Sequence, residues 1–327
     1  MVEQGVPRVA LAGDAVLAGG VGARLLREPP TAVVAPELLE LLRDADLFVL
    51  NLEGGVSAAG EPWPALHRIW YRAPPEAVDL LALLGVDCVT LANNHMLDYG
   101  VDALLDTIER LHGAGIATAG AAVDRRGARA PAWLRHGDFH LAVLSVCDHE
   151  RQYAAGRRTP GIAFADLARG VPGWLARTVR DAAARADAVL VSPHWGPNWT
   201  TAPPDHVRRA VPALRAAGAT LVAGHSAHVF HGVEGPVLYD LGNFFDDFFD
   251  EGTTAPDRRS DRSLLWFVDL GPTGPTRLEA VPVIVRECRT DLARGDDRAW
   301  VATRFRQACA ALGTEVREED GRLVVTW

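Results

Sequence analysis

The chain contains no lysine, because all 33 of its basic residues are arginine. This absence excludes a lysine nucleophile and the phosphate-binding lysine of a P-loop. The four cysteines are dispersed without a CxxC pair, so neither a disulfide framework nor a zinc knuckle is indicated. Cys88 and Cys147 lie inside apolar runs and are expected to be buried, unreactive thiols.

Long apolar segments and an excess of positive charge are also missing. The apolar runs are far shorter than a membrane span, and the amino terminus has no positive segment followed by a long apolar one. We therefore expect a cytoplasmic protein with no integral membrane segment. The formal net charge is −9, with acidic and basic residues mixed along the chain, so we expect no nucleic-acid partner.

Short apolar runs alternate with helical patterns over residues 8–250, which is typical of an α/β protein. Beyond them, the pattern predicts two strands (263–270 and 277–285), a helix (298–312) and a final strand pair. Segment 151–171 is polar and rich in Gly and Pro, and it is predicted to be a loop and a candidate lid. No linker is evident, so we predict one domain over residues 1–327, with a motif-bearing core (8–250) and a β-rich part (251–327) that completes it.

The most informative stretch runs from Val86 to Gly100. It begins as an apolar strand, breaks into Asn93, Asn94 and His95, and continues into an amphipathic helix. Taken alone, it fits an asparagine-rich turn as well as a ligand site at the carboxyl end of a strand. The other strand ends decide between these two interpretations.

Metal-type side chains follow several predicted strands, including the one just described. They are Asp14, Glu53, Asn94 with His95, His194, His225 and His228. Because the carboxyl ends of parallel strands meet at one edge of a sheet, we expect these side chains to converge. Mixed oxygen and nitrogen donors without thiolate suit Mn, Fe or Zn, and a shared carboxylate is a common way to build a two-metal site. The sequence therefore predicts a site for one or two divalent metal ions.

Other interpretations of the polar residues are weaker. The glycines after the first strand do not match GxGxxG, and Asp14 would repel a pyrophosphate, which disfavours dinucleotide binding. Histidines without a strand-end context are predicted to be surface or structural residues. They are His67, His112, His136 and His140. His206 lies on the face of a predicted helix and is predicted to be solvated.

Six motifs resemble the CapA family of capsule biosynthesis, also called PgsA-like. They are GD (13–14), NLE (51–53), LANNHxLDYG (91–100), SPHWG (192–196), GHSAHVFHGVE (224–234) and YDLGNF (239–244). The resemblance covers about residues 8–250. It implies a calcineurin-like metallophosphoesterase fold, which is an α/β/β/α sandwich with two central mixed sheets flanked by helices.

The resemblance also implies roles for individual residues. It makes His95 the general acid, and it makes Asp14, Glu53, Asn94, His194, His225 and His228 the metal ligands. Two departures leave open whether one or two ions bind: Val16 stands where the metallophosphoesterase pattern has His, and Ser226 stands where many relatives have His. Asn51 and Asn243 are candidates to compensate.

Further residues are candidates for substrate binding or for support of the ligands. Arginine pairs with carboxylate or phosphate, which makes Arg72 and Arg151 candidates for binding an anionic substrate, with a solvated surface position as the alternative. Trp195 and Trp199 are candidate pocket walls, with a core position as the alternative. The remaining candidates are Asn93 and Asp98 as supports of the elbow, and Asp148, His149 and His231 as neighbours of the site.

Two functions stay open at this point. The first is a metal-dependent hydrolase or phosphoryl/acyl-transfer enzyme that acts as a biosynthetic tailoring enzyme. Its substrate would be a small anionic or peptide-like molecule, γ-glutamyl or phosphorylated. The second is a non-catalytic assembly subunit of poly-γ-glutamate or capsule synthesis with a degraded metal site, which Val16 favours and the histidines disfavour. A homo-oligomer is compatible with either.

Overall fold

The computed structural model describes residues 6–63, 69–247 and 258–327. His67 and the end of the acidic-aromatic run 244–251 lie outside the described residues. The helices within the described ranges are α1 (Gly19–Leu25), α2 (Pro36–Leu42), α3 (Ala77–Leu83), α4 (Gly100–Gly113), α5 (Arg125–Ala128), α6 (Gly173–Ala183), α7 (Asp205–Ala217) and α8 (Gly295–Ala310). Short 3₁₀ turns occur at Pro30–Ala32, Arg151–Tyr153 and Leu167–Arg169.

The strands divide into those before and those after the middle of the chain. The earlier strands are β1 (Arg8–Ala15), β2 (Leu47–Leu52), β3 (Gly55–Val56), β4 (Arg72–Ala73), β5 (Cys88–Thr90), β6 (Ala117–Ala119), β7 (Ala121–Ala122), β8 (Ala132–His136), β9 (Phe139–Cys147) and β10 (Gly161–Ile162). The later strands are β11 (Ala188–His194), β12 (Leu221–Ala223), β13 (Val237–Leu238), β14 (Asn243–Phe245), β15 (Arg262–Gly271), β16 (Gly274–Arg286), β17 (Arg289–Leu292), β18 (Arg317–Glu319) and β19 (Arg322–Thr326).

A large mixed sheet is built around β1. Its main path runs β18-β19-β16-β15-β1-β2-β5-β6, with β14 paired to β1 and β17 to β16. Strands β1, β2, β5 and β6 are parallel, whereas β15 runs antiparallel to β1. The C-terminal strands therefore extend the sheet that begins with β1. The single-domain organisation stays a prediction, which this continuous sheet supports.

A smaller sheet has the order β13-β12-β11-β9-β8. Strands β9, β11, β12 and β13 are parallel, so their carboxyl ends share one edge. Strands β8 and β9 form an antiparallel hairpin around Gly137-Asp138, at the position that the sequence predicts. Both sheets therefore present parallel strand ends for a site.

The two sheets pack face to face, with helices on their outer sides. Val9 and Leu11 of β1 share an inner core with Leu141 and Val143 of β9. The intervening residues of β1 pack among α1 to α4, and the outer face of the smaller sheet packs against α6 and α7. Burial on both faces explains why these strands read as continuous apolar runs. The predicted α/β/β/α sandwich is confirmed.

Segment 151–171 is mostly irregular, as the loop prediction requires, but it is packed into the fold, which does not support the candidate lid. The side chains of Tyr153, Ile162 and Leu167 are fully buried. Strand β10 within the segment pairs with β7. The physical reason is that apolar residues spaced between the glycines and prolines anchor the segment to the core.

At the edge where β1 begins, Glu279 connects three arginines. It accepts hydrogen bonds from Arg8, Arg277 and Arg322. Burial opposes its ionisation, but these guanidinium groups, Arg322 first, lower the pKa of Glu279 to about 2. Because the folded pKa lies below the ordinary value of 4.5, the stabilisation is present above pH 4.5 and is lost as pH falls towards 2.

We expect Glu279→Gln to lower the free energy of unfolding at pH 7 by about 1–2 kcal/mol, with allowance for solvent screening. Urea denaturation at pH 7 and at pH 3 measures the effect, which should shrink at the lower pH. Glu315→Gln is the control, because the Glu315 side chain is largely exposed and pairs with Arg317 alone among the described residues. Equal stability of the wild type and Glu279→Gln at pH 7 would contradict the prediction.

Candidate metal centre

The carboxyl ends of strands from both sheets bring the predicted ligands together. Asp14 lies near the end of β1 and Glu53 follows β2, both in the large sheet. His194 ends β11 in the smaller sheet, and its backbone pairs in parallel with His225, which follows β12. Asp14 and His225 are fully buried. Residues far apart in the chain therefore meet between the two sheets.

The first potential ligand group consists of Asp14, His194 and His225. The Nδ1 atoms of His194 and His225 lie 4.0 and 3.7 Å from Oδ1 of Asp14. The two Nδ1 atoms are 3.0 Å apart. All three residues offer a ligand atom within 4.8 Å of the others, which is close enough to surround one ion.

The second potential ligand group consists of Asp14, Glu53 and His228. Nδ1 of His228 lies 3.3 Å from Oδ2 of Asp14 and 3.8 Å from Oε2 of Glu53. Asp14 therefore belongs to both groups, with one oxygen directed to each. This is the arrangement in which one carboxylate bridges two cations.

Unpartnered oxygens support the assignment of a cation site. Both carboxylate oxygens of Glu53 and Oδ1 of Asn94 are buried and have no hydrogen-bond partner among the described residues. A buried carboxylate without a partner carries a large desolvation cost. A divalent cation would satisfy these atoms, and the mixed oxygen and nitrogen donors suit Mn, Fe or Zn. The residues present therefore fit a metal ion.

The charges in the site favour the ligand forms of its histidines. Burial lowers the pKa of His225 to about 4, and burial together with His225 lowers the pKa of His194 well below its ordinary value. Both imidazoles are therefore neutral near pH 7, as metal binding requires. Burial raises the pKa of Asp14, but the hydrogen bond and charge of His228 outweigh it and lower that pKa overall.

At Glu53 and His228 the pKa shifts disfavour the protonation states that bind a metal. Burial, followed by the charge of Asp14, raises the pKa of Glu53 well above its ordinary value. Burial lowers the pKa of His228, but the charges of Glu53 and Asp14 raise it overall. A divalent cation would favour the ionised Glu53 and the neutral His228, since its charge reverses both effects.

Three asparagines support the ligands. Nδ2 of Asn51 donates to Oδ1 of Asp14 over 2.8 Å, and Oδ1 of Asn51 accepts from Nδ2 of Asn93 over 3.3 Å. Oδ1 of Asn243 lies 2.9 Å from Nδ1 of His228. Contacts of this kind orient metal ligands and tune their basicity.

His95 stands beside the ligand groups with one ring nitrogen already engaged. Its Nδ1 lies 2.7 Å from Oδ2 of Asp98, and its Nε2 lies 3.9 Å from Oε1 of Glu53. We assign the proton to Nδ1, because the Asp98 carboxylate only accepts. Nε2 is then directed towards the metal ligands. The Asp98 carboxylate also accepts the backbone N–H of Tyr71 over 2.8 Å.

Aromatic rings flank the site differently from the sequence prediction. Trp195 packs in the core beneath α6 and α7 and donates from Nε1 to the carbonyl of Tyr239 over 2.9 Å, so it takes the core position that the sequence left as the alternative to a pocket wall. Trp199 is half-buried, and its ring lies 5.2 Å from that of His228. The Tyr71 ring lies 4.2 Å from that of His95. Sequence reasoning missed Tyr71, although it lies in an aromatic stretch just before Pro74-Pro75.

Neither predicted substrate-binding arginine has a partner within the ligand groups. Arg72 donates to the carbonyls of Ala59 and Gly60 and stacks over the Tyr99 ring. Arg151 pairs with Asp166 over 2.8 Å and is largely exposed. The guanidinium of Arg72 is therefore committed to the backbone of its own region, and the prediction that it grips substrate is not supported by its contacts.

A second polar cluster adjoins the first ligand group. The His149 ring packs edge-on against His194 at 5.5 Å, and its Nε2 lies 2.9 Å from Oδ1 of Asp148. Nε2 of His206 lies 3.3 Å from Oδ2 of the same carboxylate, so the prediction that His206 is solvated was wrong. Its helix, α7, turns this face towards the Asp148 strand end. His231 is buried, and its Nε2 lies 2.9 Å from the carbonyl of Thr200.

Two glycines next to ligands are required by close packing. A Cβ on Gly13 would collide with the carbonyl of Gly242, which accepts the N–H of Asp14. A Cβ on Gly224 would collide with the Trp195 ring and the carbonyl of Tyr239. The glycines before Asp14 and His225 therefore let the strand ends approach one another.

A buried cluster of histidines and carboxylates at the shared edge of a two-sheet sandwich defines a candidate metal-binding α/β protein. The chain matches the family described as bacterial capsule synthesis protein PGA_cap over residues 8–248, and it belongs to that family. The family prediction is confirmed.

Individual relatives agree with this membership. The chain is 32% identical over 293 residues to a "probable polyglutamine synthesis accessory protein" of Mycobacterium tuberculosis, covering 83% of this chain and 74% of that protein. It is 28% identical over 289 residues to the PGA biosynthesis protein CapA of Bacillus subtilis, covering 86% and 73%. Among solved structures it is similar to the sulfate thiohydrolase SoxB of Thermus thermophilus (16% identity, TM-score 0.46, covering 93% and 61%).

The helices give no sign of a membrane-spanning segment. Across the described ranges, none combines the length and the apolar character that crossing a bilayer requires.

Proposed function

We propose that this protein is a metal-dependent hydrolase or phosphoryl/acyl-transfer enzyme within capsule-type biosynthesis. Its substrate would be a small anionic or peptide-like molecule. The observation that supports the proposal is the pair of ligand groups that share Asp14, next to a histidine held by Asp98. Glutamyl peptides are one candidate class, since the names of two relatives refer to polyglutamine synthesis and PGA biosynthesis. Phosphorylated molecules are the other, since metal ions stabilise the negative charge of phosphoryl transfer.

The ion would be held by the two groups already described, with Asn94 as a further oxygen ligand. A divalent ion at this position supplies Lewis-acid stabilisation of negative charge and a water nucleophile at neutral pH. The shared carboxylate of Asp14 would keep two ions close together. For a single ion, each group offers one advantage. The first group offers histidines that are already neutral, and the second offers Glu53 oxygens that lack hydrogen-bond partners.

His95 would move the proton in the proposed reaction. Asp98 accepts from Nδ1, which fixes the ring and stabilises the imidazolium form. In the imidazolium form both ring nitrogens carry protons, and Nε2 would give its proton to the leaving group, which returns the ring to the neutral form with its proton on Nδ1. The Tyr71 ring beside His95 and the Trp199 ring beside His228 would form the two sides of the substrate site. Both tryptophan and tyrosine can orient a ligand through a rigid ring face.

The second candidate is a non-catalytic assembly subunit. Val16 favours it, because this residue is only 1% exposed and offers no ligand atom at the position where the metallophosphoesterase pattern has histidine. Under this alternative the buried cluster would hold an ion, or none, for structural reasons.

Metal analysis and substrate screening distinguish these candidates. We expect protein purified without chelators to contain one or two equivalents of Mn, Fe or Zn by elemental mass spectrometry. We also expect it to cleave or transfer at least one member of a panel of phosphate monoesters, phosphodiesters and γ-glutamyl peptides. Stoichiometric metal without turnover would support the assembly subunit. Absence of metal, even after addition of each ion, would contradict both the metal centre and the enzyme.

A further inference from the structure

We propose that Asp240 is a positioning residue that fixes the spacing of the metal-binding loops, and this inference rests on the metal centre of the proposed function. Asp240 lies in the segment 239–243, which follows β13 and belongs to none of the ligand groups. Its side chain is buried, with 1% of the residue exposed. A buried carboxylate that binds no cation needs hydrogen-bond donors. The groups that donate to Asp240 therefore indicate which parts of the structure it connects.

The segment 239–243 contacts the loops that carry the proposed ligands. The carbonyl of Tyr239 accepts from Nε1 of Trp195, the neighbour of His194, over 2.9 Å. The N–H of Leu241 donates to the carbonyl of Gly224 over 2.9 Å, directly before His225.

The same segment also contacts the first strand and His228. The carbonyl of Gly242 accepts the N–H of Asp14 over 2.9 Å. Oδ1 of Asn243 lies 2.9 Å from Nδ1 of His228. One short segment therefore touches the strand end of Asp14 and the loops of all three histidine ligands.

The Asp240 carboxylate joins two of these loops directly. Oδ2 accepts the N–H of Ala227 over 2.8 Å, and Oδ1 accepts the N–H of Gly242 over 2.9 Å. Ala227 lies between Ser226 and His228 in the chain. The carbonyl of Gly242 accepts the hydrogen bond from the N–H of Asp14. The carboxylate therefore sets the distance between the loop of His228 and the end of β1.

Backbone strain at the same place shows why an external support is needed. Ser226 and His228 have φ angles of 114° and 59°, which are uncommon for residues other than glycine. Such conformations are strained and persist only when surrounding contacts enforce them. The bond from Ala227 to Asp240 lies between the two strained residues, so it holds them both.

Asparagine cannot replace this carboxylate without loss. Two backbone N–H groups require two acceptors, and an asparagine side chain offers one oxygen and an NH₂ group. In Asp240→Asn, one N–H of Ala227 or Gly242 would face another donor. We therefore expect the loop of His228 to shift relative to Asp14, which weakens metal binding 10- to 100-fold.

Isothermal titration of chelator-treated full-length protein with Mn²⁺ and Zn²⁺ tests the proposal. The absorption spectrum of the Co²⁺-substituted protein reports the geometry of the ligands. We expect Asp240→Asn to bind 10- to 100-fold more weakly and to alter the Co²⁺ spectrum. Glu279→Gln is the matched control, because it also removes a buried charge but lies at the edge where β1 begins. It should lower stability and leave both metal readouts unchanged.

The outcomes separate this inference from the proposed function. Wild-type affinity and an unchanged Co²⁺ spectrum in Asp240→Asn would overturn the positioning role. If that variant does not fold, Asp240→Glu decides through the same two readouts, because it keeps both acceptors and displaces them by one methylene. Unchanged affinity and spectrum in Asp240→Glu would overturn the role in that case. Metal binding by the wild type without any turnover would remove the enzyme proposal alone, whereas a wild type that binds no metal would remove both.

Discussion

We expect Asp14→Asn to weaken metal binding at both ligand groups by more than about 100-fold. This loss exceeds the 10- to 100-fold effect typical of altering a residue that only supports the ligands. Asp14 is the residue that the two groups share, and each of its oxygens faces a different group. Replacement by asparagine keeps the shape but removes the charge. Elemental analysis and titration with Mn²⁺ or Zn²⁺ measure the loss.

Stability of the metal-free protein separates loss of ligation from misfolding. Burial first, and then the charge of Asp14, raises the pKa values of Glu53 and Asp240, so three carboxylates crowd one another when no cation is bound. The pKa of Asp14 itself is lowered, so its ionised form stabilises the metal-free protein, and Asp14→Asn should lower the urea midpoint while the unfolding transition stays cooperative. His228→Ala is the comparison, since it removes a ligand from the second group alone. Stoichiometric metal in Asp14→Asn would refute the shared-carboxylate site.

His95→Ala is expected to retain the metal content of the wild type and to lower kcat about 10²- to 10⁴-fold, the range for removal of a general acid. The expectation follows from geometry: Nδ1 is held by Asp98, and Nε2 is directed towards the ligand groups. Steady-state kinetics with the substrate found by screening, together with elemental analysis of the same sample, measure both quantities.

The control for this prediction is His112→Ala. His112 is a surface histidine on α4 whose Nε2 contacts the Thr118 hydroxyl, and its removal should change neither kcat nor metal content. Asp98→Asn should show a smaller loss in kcat than His95→Ala, because the ring remains but loses the negative charge of the carboxylate that orients it. Unchanged turnover in His95→Ala would exclude the acid role.

The architecture was largely predictable because burial leaves a strong signal. Strands buried on both faces read as apolar runs, and the hairpin around Gly137-Asp138 has its turn residues in place. Polar residues stand out where such runs end, which is why Asp14 and His194 could be selected. The motif resemblance then predicted both the fold and the family. The match over residues 8–248 confirms the family.

The environment of individual side chains was much less predictable. The sequence left open whether Trp195 lies in the core or lines a pocket, and the structure places it in the core. His206 was expected to be solvated and instead faces Asp148. Arg72 stacks on Tyr99, and the polar segment 151–171 packs inward. In each case the face that a side chain presents depends on elements distant in the chain.

The sequence by itself determined the chemistry available to this protein: carboxylates, amides and imidazoles at strand ends, with no lysine and no paired cysteines. A polar residue that interrupts an apolar run is visible without knowledge of its neighbours. Only the tertiary structure decided that Asp14 serves both ligand groups and that Asp240 joins their loops. The physical reason is that these contacts join residues that are far apart in the sequence. The bond from Ser226 to Asp14 spans 212 residues, so no local pattern specifies it.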